Sequence, residues 1–359
     1  MKSIGMLRFW LGLTLLGVLF STACSDDDDM LSQDKPVEDI PAIILDTDAG
    51  NCTDDLFALQ ALFSYRKQGF CRVLGVMGGM QNALAKRFMD CIMHYYEADD
   101  IPLGLIEGEA DYFDITPYRE LVDSLRADGT LLFAPTGIPL SRRLPAWKLY
   151  RKLLSEAADT SVTVVCVGQF TNLGKLLISE ADEYSTLSGY ELVKQKVKAL
   201  HAMGGCFTKI PMRYSEGFLE VEYNIGGDVP LAKRVLEEWP GELRLLPMEV
   251  GMLFPSDHDE ILADYAWQPD SPIYQVYSRY DEWAIGDVGQ YLWDVVTVLH
   301  ALLGEDYFSC SRRGRMHIDE KGKTTYMLDE TGNAHIINVN SSDWGMLNQK
   351  IRELAQFEK

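Results

Sequence analysis

Four carboxylates crowd into ten residues, Asp46, Asp48, Asp54 and Asp55, within the stretch AIILDTDAGNCTDDLFAL that runs from Ala42 to Leu59. Acids at this density suit one kind of chemistry. Their oxygens are hard donors fitted to a divalent cation, and the cation offsets their mutual repulsion. Without an ion the same acids would cost stability, so a role as mere helix caps facing water is the weaker reading.

The elements that position them are legible in the same stretch. Ala42 to Leu45 is a short apolar run, the pattern of a buried strand, and alternation along a strand puts Asp46 and Asp48 on one face. Gly50 falls where the chain must turn. Beyond it, apolar residues at helical spacing predict a helix that Thr53 or Asp54 can cap, with its N-terminal dipole favouring the charges of Asp54 and Asp55. A strand end and a helix start thus aim several oxygens at one point.

The rest of the chain alternates in the same way. Strands are predicted over Arg72–Met77, Ile101–Ile106, Ser161–Val167, Val197–Met203 and Leu243–Met248. Helices are predicted from about Ala83 to Glu97, Ala146 to Glu156, Thr171 or Asn172 to Ile178, and Pro230 to Glu238. Further helices fall near Asp257–Ala266, Ser271–Glu282 and Val295–Leu303, and short strands between Met316 and Asn340 precede a closing helix over Asp343–Phe357. Residues 108 to 145, with Pro117, Pro135, Pro139, Pro145 and several aromatics, read as a long functional loop region. The pattern predicts an α/β fold, a single open, mostly parallel sheet with helices on both faces and a small C-terminal β/α extension. Ligands bind such a sheet outside the carboxyl ends of its strands. Unusual polar residues collect just there: Gln81-Asn82, Val167-Gly168 and Glu222-Tyr223-Asn224, with Trp293-Asp294 opening a late apolar helix.

Composition sets outer bounds. A chain of 359 residues that is 47% hydrophobic buries a large core, and a formal charge of −21 argues against a nucleic-acid partner, which needs clustered Lys and Arg. Lys2 and Arg8 precede an apolar stretch, Phe9 to Phe20, that is short for a transmembrane helix. With Ser21-Thr22-Ala23-Cys24 behind it, this segment resembles a bacterial lipoprotein signal. The division is then residues 1–23 as signal peptide, 24–40 as an acidic tether with lipid on Cys24, and 41–359 as one α/β domain. An exported protein anchored to the outer membrane only through its N-terminal lipid is the corresponding expectation. The other six cysteines form no C-x-x-C pair, which argues against a zinc site.

The ordered set of motifs resembles the inosine-uridine preferring nucleoside hydrolase family, from about Pro41 to Gly304. DTDAGNCTDDLFAL is similar to the family's D-T-D-P-G-x-D-D-A-x-A-L, with two extra residues before the paired acids. GVMGGMQN (Gly75–Asn82), GQFTN (Gly168–Asn172), Met203-Gly204-Gly205, Glu222-Tyr223-Asn224 and Trp293-Asp294 match later motifs in order. The resemblance implies a Ca²⁺ ion held by Asp48, Asp55, Asp294 and the Val167 carbonyl. It implies that Asp48 takes the proton from the water that attacks C1′, that Asp54, Asn82, Glu222 and Asn224 hold the ribose hydroxyls, and that Asp46 orients the loop. Trp293 replaces the histidine that many members use as leaving-group acid; as in purine-specific members, it would stack on the base with Tyr112 or Phe113. The substrate would be a nucleoside or related riboside, purine favoured, with Ser215-Glu216 in place of a family Gly-Asn leaving the 5′ side open. The family is commonly oligomeric. None of the six histidines takes a role by position.

Two rival functions use the same residues. Asp46-Thr47-Asp48 also fits the D-x-D of a haloacid-dehalogenase-like phosphatase, which leaves Asp54-Asp55 and Trp293-Asp294 unexplained. A surface lipoprotein that binds ribosides without cleaving them is the other.

Overall fold

The computed structural model describes residues 40–50, 52–108, 121–212, 216–279 and 291–357. β1 (Ala42–Thr47) leads through the acidic turn into α1 (Asp54–Lys67), followed by β2 (Arg72–Gly78), α2 (Ala83–Tyr95) and β3 (Leu103–Leu105). After the long connection come α3 (Ala146–Glu156), β4 (Val162–Cys166), α4 (Thr171–Ile178), α5 (Gly189–Lys196) and β5 (Val197–Met203). A short antiparallel pair, β6 (Ile210–Pro211) and β7 (Phe218–Leu219), precedes the one-turn α6 (Tyr223–Gly226), then α7 (Val229–Glu238) and β8 (Glu242–Leu246). The remainder is α8 (Met248–Gly251), α9 (His258–Tyr265), α10 (Pro272–Arg279), α11 (Trp293–Leu303), β9 (Phe308–Cys310), β10 (Gly314–Ile318), β11 (Thr324–Leu328), β12 (Ala334–Val339) and α12 (Trp344–Glu353).

The sheet runs β11-β10-β12-β8-β5-β4-β1-β2-β3, with β9 on β12. Every pair from β3 to β12 through the centre is parallel, and β9, β10 and β11 are antiparallel additions. The small C-terminal extension expected from the sequence is thus joined to the main sheet through β12 on β8. Its strands find an open edge at β8, and pairing there satisfies backbone groups that an isolated extension would leave to water.

β1 fixes where chemistry can occur. Each of its residues is buried, with Ile43 and Leu45 packed against the α1 and α11 layer and Ile44 against the α3 and α4 layer. The chain moves from β1 outward to β2 and β3, then returns to place β4 on the other flank of β1. The strand order therefore reverses beside β1, and the crevice outside the ends of β1 and β4 is the switch point at which such sheets bind ligands. Asp46 is level with Met77 of β2 and Cys166 of β4, so the three strand ends open together.

Two local expectations change. α5 was not anticipated, although Ser188 and Glu191 form a reciprocal capping box at its start, a signal present in the sequence. The helices at the site are also capped differently. Thr53 stands at the N-cap of α1 without a cap bond from its side chain, and α4 starts at Thr171 with no side-chain cap.

Close approach of β4 to β1 depends on Gly168. A methyl group there would lie 2.7 Å from the Asp48 amide nitrogen and 3.0 Å from Asp48 Cβ. Gly168→Ala is expected to destabilise the fold by about 1–3 kcal/mol through overpacking, read as a drop in the thermal midpoint against the parent chain.

Candidate active and metal site

At the end of β1 the strand's alternation assigns the acids different tasks. Asp46 continues the face of Ile44 toward α3 and α4, where its carboxylate accepts from Tyr150 Oη (3.1 Å) and Asn172 Nδ2 (3.0 Å). It is sealed, at 0% exposure, and holds the strand end against two helices. Thr47 takes the opposite face, and its hydroxyl donates to Asp55 Oδ1. β1 stops at Thr47, and Asp48 follows directly after it; a Cβ on Gly79 would meet both Asp48 Cβ (3.6 Å) and Asp46 Oδ1 (3.8 Å). The charge of Asp48 bears on Asp54, Asp55, Asp294 and Glu222, and also on Asp46. Gly50 turns the chain with φ +110°, a backbone region that favours glycine.

α1 presents Asp54 and Asp55 in its first turn, both buried. α11 presents Asp294 in its own first turn, and the Asp294 amide donates to Asp54 Oδ2 at 3.2 Å. Oxygens of Asp54, Asp55 and Asp294 lie within 4.8 Å of one another. Two of the oxygens, Asp54 Oδ1 and Asp55 Oδ2, are buried without a hydrogen-bond partner. Buried carboxylate oxygens without a partner, in a trio this close, are what a hard cation satisfies, so these residues fit a divalent ion. The insertion after Gly50 therefore does not keep the paired acids away from Asp294. Within this trio Asp54 stands where the resemblance put Asp48.

The far wall comes from β4 and the segment before α6. The Val167 carbonyl accepts from Asn224 Nδ2 at 3.0 Å and keeps a second lone pair. Glu222 caps α6, accepting from the amides of Asn224 (2.7 Å) and Ile225 (3.2 Å), and it also reaches Gly205 N at 3.4 Å. Asn82 caps α2 through Oδ1, which accepts from Leu84 N and Ala85 N, so its Nδ2 is the end left to donate. The loop before it touches β1, where Gly79 N donates to the Thr47 carbonyl at 2.7 Å. Sequence reading had missed Thr47, Tyr150 and Asn172 as supports of the acids. The first lies between the two aspartates of D-T-D, but the other two are brought in only by packing.

Trp293 differs from expectation. The indole is 6% exposed, its N–H donates to the Met248 carbonyl at 3.0 Å, and its ring lies so close to Gly251 that a methyl there would fall 2.0 Å from Cδ1. An indole pinned in this way frames the site and offers no open face for a purine. The proposed stacking partners Tyr112 and Phe113, and Ser215 beside Glu216, lie outside the described residues. Among the histidines, His201 and His300 pair through Nδ1 at 2.8 Å, both buried, and His94 meets Asp99 at 2.9 Å.

Burial dominates the electrostatics. It raises Asp46, Asp54 and Glu222 to about 7. Asp55 is pushed well above the carboxylate range by burial and then by the charges of Asp48 and Asp54, and Asp294 by burial and then by Asp54 and Asp55. With no cation bound, the folded state thus holds protons on these groups that the unfolded chain, with ordinary carboxylate values, has already released. Stability from them is complete at acid pH and falls as pH rises through the folded-state values. Burial lowers His300 to about 3 and His201 well below its usual range, which acts in the opposite sense below the unfolded histidine value. Between about pH 6.5 and pH 8 the carboxylates therefore act without that opposition. In chelator, the thermal midpoint is expected to fall across this interval, and calcium should raise it more at pH 8 than at pH 6.5. A flat profile would contradict the coupling.

Comparison with known proteins follows the geometry. A family model described as inosine-uridine preferring nucleoside hydrolase matches residues 43–344. No curated protein matches the chain by sequence. Among solved structures, an inosine-guanosine nucleoside hydrolase aligns with TM-score 0.64 at 17% identity, covering 89% of this chain and 100% of that one. A purine-preferring ribonucleoside hydrolase from Gardnerella vaginalis aligns with TM-score 0.63 at 15% identity, covering 88% and 99%. The type III effector protein XopQ, complexed with adenosine diphosphate ribose, aligns with TM-score 0.61 at 15% identity, covering 89% and 94%. These likenesses establish the fold, and the match over most of the chain establishes the kinship: this protein belongs to the inosine-uridine preferring nucleoside hydrolase family, whose members are N-glycosidases.

Proposed function

We propose that this chain hydrolyses the N-glycosidic bond of ribonucleosides, purine nucleosides favoured, with calcium held at the end of β1. The observation that carries the proposal is the convergence of buried, partly orphaned carboxylate oxygens from α1 and α11 at the switch point of the sheet. Asp48, Asp55, Asp294 and the Val167 carbonyl would hold the ion, and the position of Asp54 gives it a share. When bound, the ion supplies a positive charge that acidifies a neighbouring water and anchors the sugar diol.

The chain's own groups do the rest. Asp48 accepts the proton of the attacking water as the water oxygen bonds to C1′ and the C1′–N bond breaks, the departing base taking its proton from solvent. The general-base role is worth about a hundredfold or more in rate. Glu222 is oriented by three backbone amides and Asn224 by the Val167 carbonyl, so both can meet ribose hydroxyls without searching for a rotamer. Asn82 brings an amide donor from the neighbouring loop. As positive charge grows on the sugar ring, the surrounding carboxylates stabilise the transition state more than the substrate. The purine preference draws on the two similar hydrolases named for purine substrates. The phosphatase alternative fails on Asp46, which is fully buried between Tyr150 and Asn172 and could not attack phosphorus.

Release of ribose from inosine and guanosine, against uridine and cytidine, tests the reading. Turnover should disappear on chelation, return with calcium, and fall at least about a hundredfold in Asp48→Asn. The buried indole of Trp293 favours a second reading, a riboside-binding protein without turnover; tight inosine binding with no ribose released would establish it.

The N-terminal segment lies outside the described residues, and no helix among the described residues is long and apolar enough to cross a membrane. The proposal includes export, removal of residues 1–23 and lipid attachment at Cys24 on the outer membrane. In a bacterial host, Cys24→Ala should lose incorporation of labelled fatty acid and move the protein from the membrane to the soluble fraction.

A further inference from the structure

The lengthened metal loop has a support that the family motifs do not describe. Thr53 closes the insertion and immediately precedes Asp54 and Asp55. Its side chain makes no cap bond to α1, and it is 1% exposed. The Thr53 hydroxyl instead approaches Tyr277 Oη at 3.4 Å, and Tyr277 Oη also contacts Ser256 Oγ closely. Tyr277 is itself buried on α10, with its ring edge-on to Phe57 of α1 at 6.3 Å between centroids.

Ser256 belongs to the segment that guides the other metal carboxylate. Its neighbour Pro255 forms an antiparallel bridge with Tyr291, and Leu292 N donates to the Phe254 carbonyl at 2.9 Å. Trp293 and Asp294 come directly after. The Tyr277 hydroxyl therefore stands between the two pieces of chain that deliver Asp54-Asp55 and Asp294. The carboxylates they carry repel one another when the ion is absent, so an uncharged tie between the two pieces adds to the packing of α1 on α11 and to the Asp294 amide on Asp54. We infer that Tyr277 is a positioning residue for the cation site, its hydroxyl tying the inserted loop at Thr53 to the Ser256 segment that leads into Asp294.

This inference rests on the proposed cation site but not on turnover, so it is read by calcium titration calorimetry on the full chain stripped with chelator. Tyr277→Phe keeps the ring against Phe57 and removes only the hydroxyl. Its calcium affinity should fall about three- to tenfold, the range for a net hydrogen bond. Ser256→Ala should weaken binding in the same direction, and the double variant should add little to Tyr277→Phe. Tyr265→Phe is the matched control. Tyr265 also packs edge-on to Phe57, at 6.0 Å, but its hydroxyl goes to Gln60 Oε1 at 3.0 Å, away from Thr53. A merely structural role would make the two tyrosine variants alike.

Unchanged affinity in Tyr277→Phe, or an equal loss in Tyr265→Phe, overturns the inference while leaving the function proposal intact. If Tyr277→Phe does not fold, Ser256→Ala decides, and wild-type affinity in it counts against the tie. Failure of the parent chain to bind calcium at all would overturn the cation site and this inference together.

Discussion

Like charges buried at one place are the constraint around which this molecule is arranged. Asp54, Asp55 and Asp294 have oxygens within 4.8 Å of one another, beside Asp48 and Glu222 and out of water. In a medium less polarisable than water, such charges repel strongly, and two routes relieve them: protons or a cation. The raised carboxylates report the first route, and the orphaned oxygens of Asp54 and Asp55 mark where the second would act. A fold that keeps this arrangement gives up stability for a concentrated negative field. That field is useful to a reaction whose transition state carries positive charge on a sugar ring.

Much of the architecture can be understood as the means of bearing that strain. The acids sit on the least movable elements available: the end of a wholly buried central strand and the first turns of two helices that pack against each other, where helix dipoles favour negative charge. Thr47 donates to Asp55, the Asp294 amide donates to Asp54, and Tyr150 with Asn172 holds Asp46 on the opposite side of the strand. Gly168 and Gly251 keep methyl groups out of two close approaches, one beside Asp48 and one beneath Trp293. Glu222 and Asn224 are fixed by backbone groups and so meet a sugar already oriented.

Kinship narrows the chemistry without fixing its details. The chain belongs to a family of N-glycosidases over residues 43–344, yet its solved relatives named above share no more than 17% identity. A likeness at that distance establishes the fold alone. Two features flank the acids of this chain, the insertion before Asp54 and the indole of Trp293 sealed against Gly251. The strand end, the paired acids and the wall formed by Glu222 and Asn224 belong to the centre.

By itself the sequence determined the alternating elements, the parallel sheet and the acidic strand-turn-helix, because these depend on short-range periodicity, on apolar runs and on glycine at a turn. It also brought Asp48, Asp54, Asp55, Glu222, Asn224 and Asp294 forward, since acids and amides cluster just past the strands. Only tertiary structure decided how they divide the work. Whether Asp46 is ligand or support depends on which helices lie over its face of β1, and those are α3 and α4, whose Tyr150 and Asn172 are 104 and 126 residues away in the chain. Whether Trp293 lies open or sealed depends on Gly251 leaving room for its ring. The tail's choice of the β8 edge, and the meeting of Thr53 with Tyr277, likewise arise from contacts between distant segments. Local pattern specifies elements; the partners of a buried polar group are set by packing, which no local pattern contains.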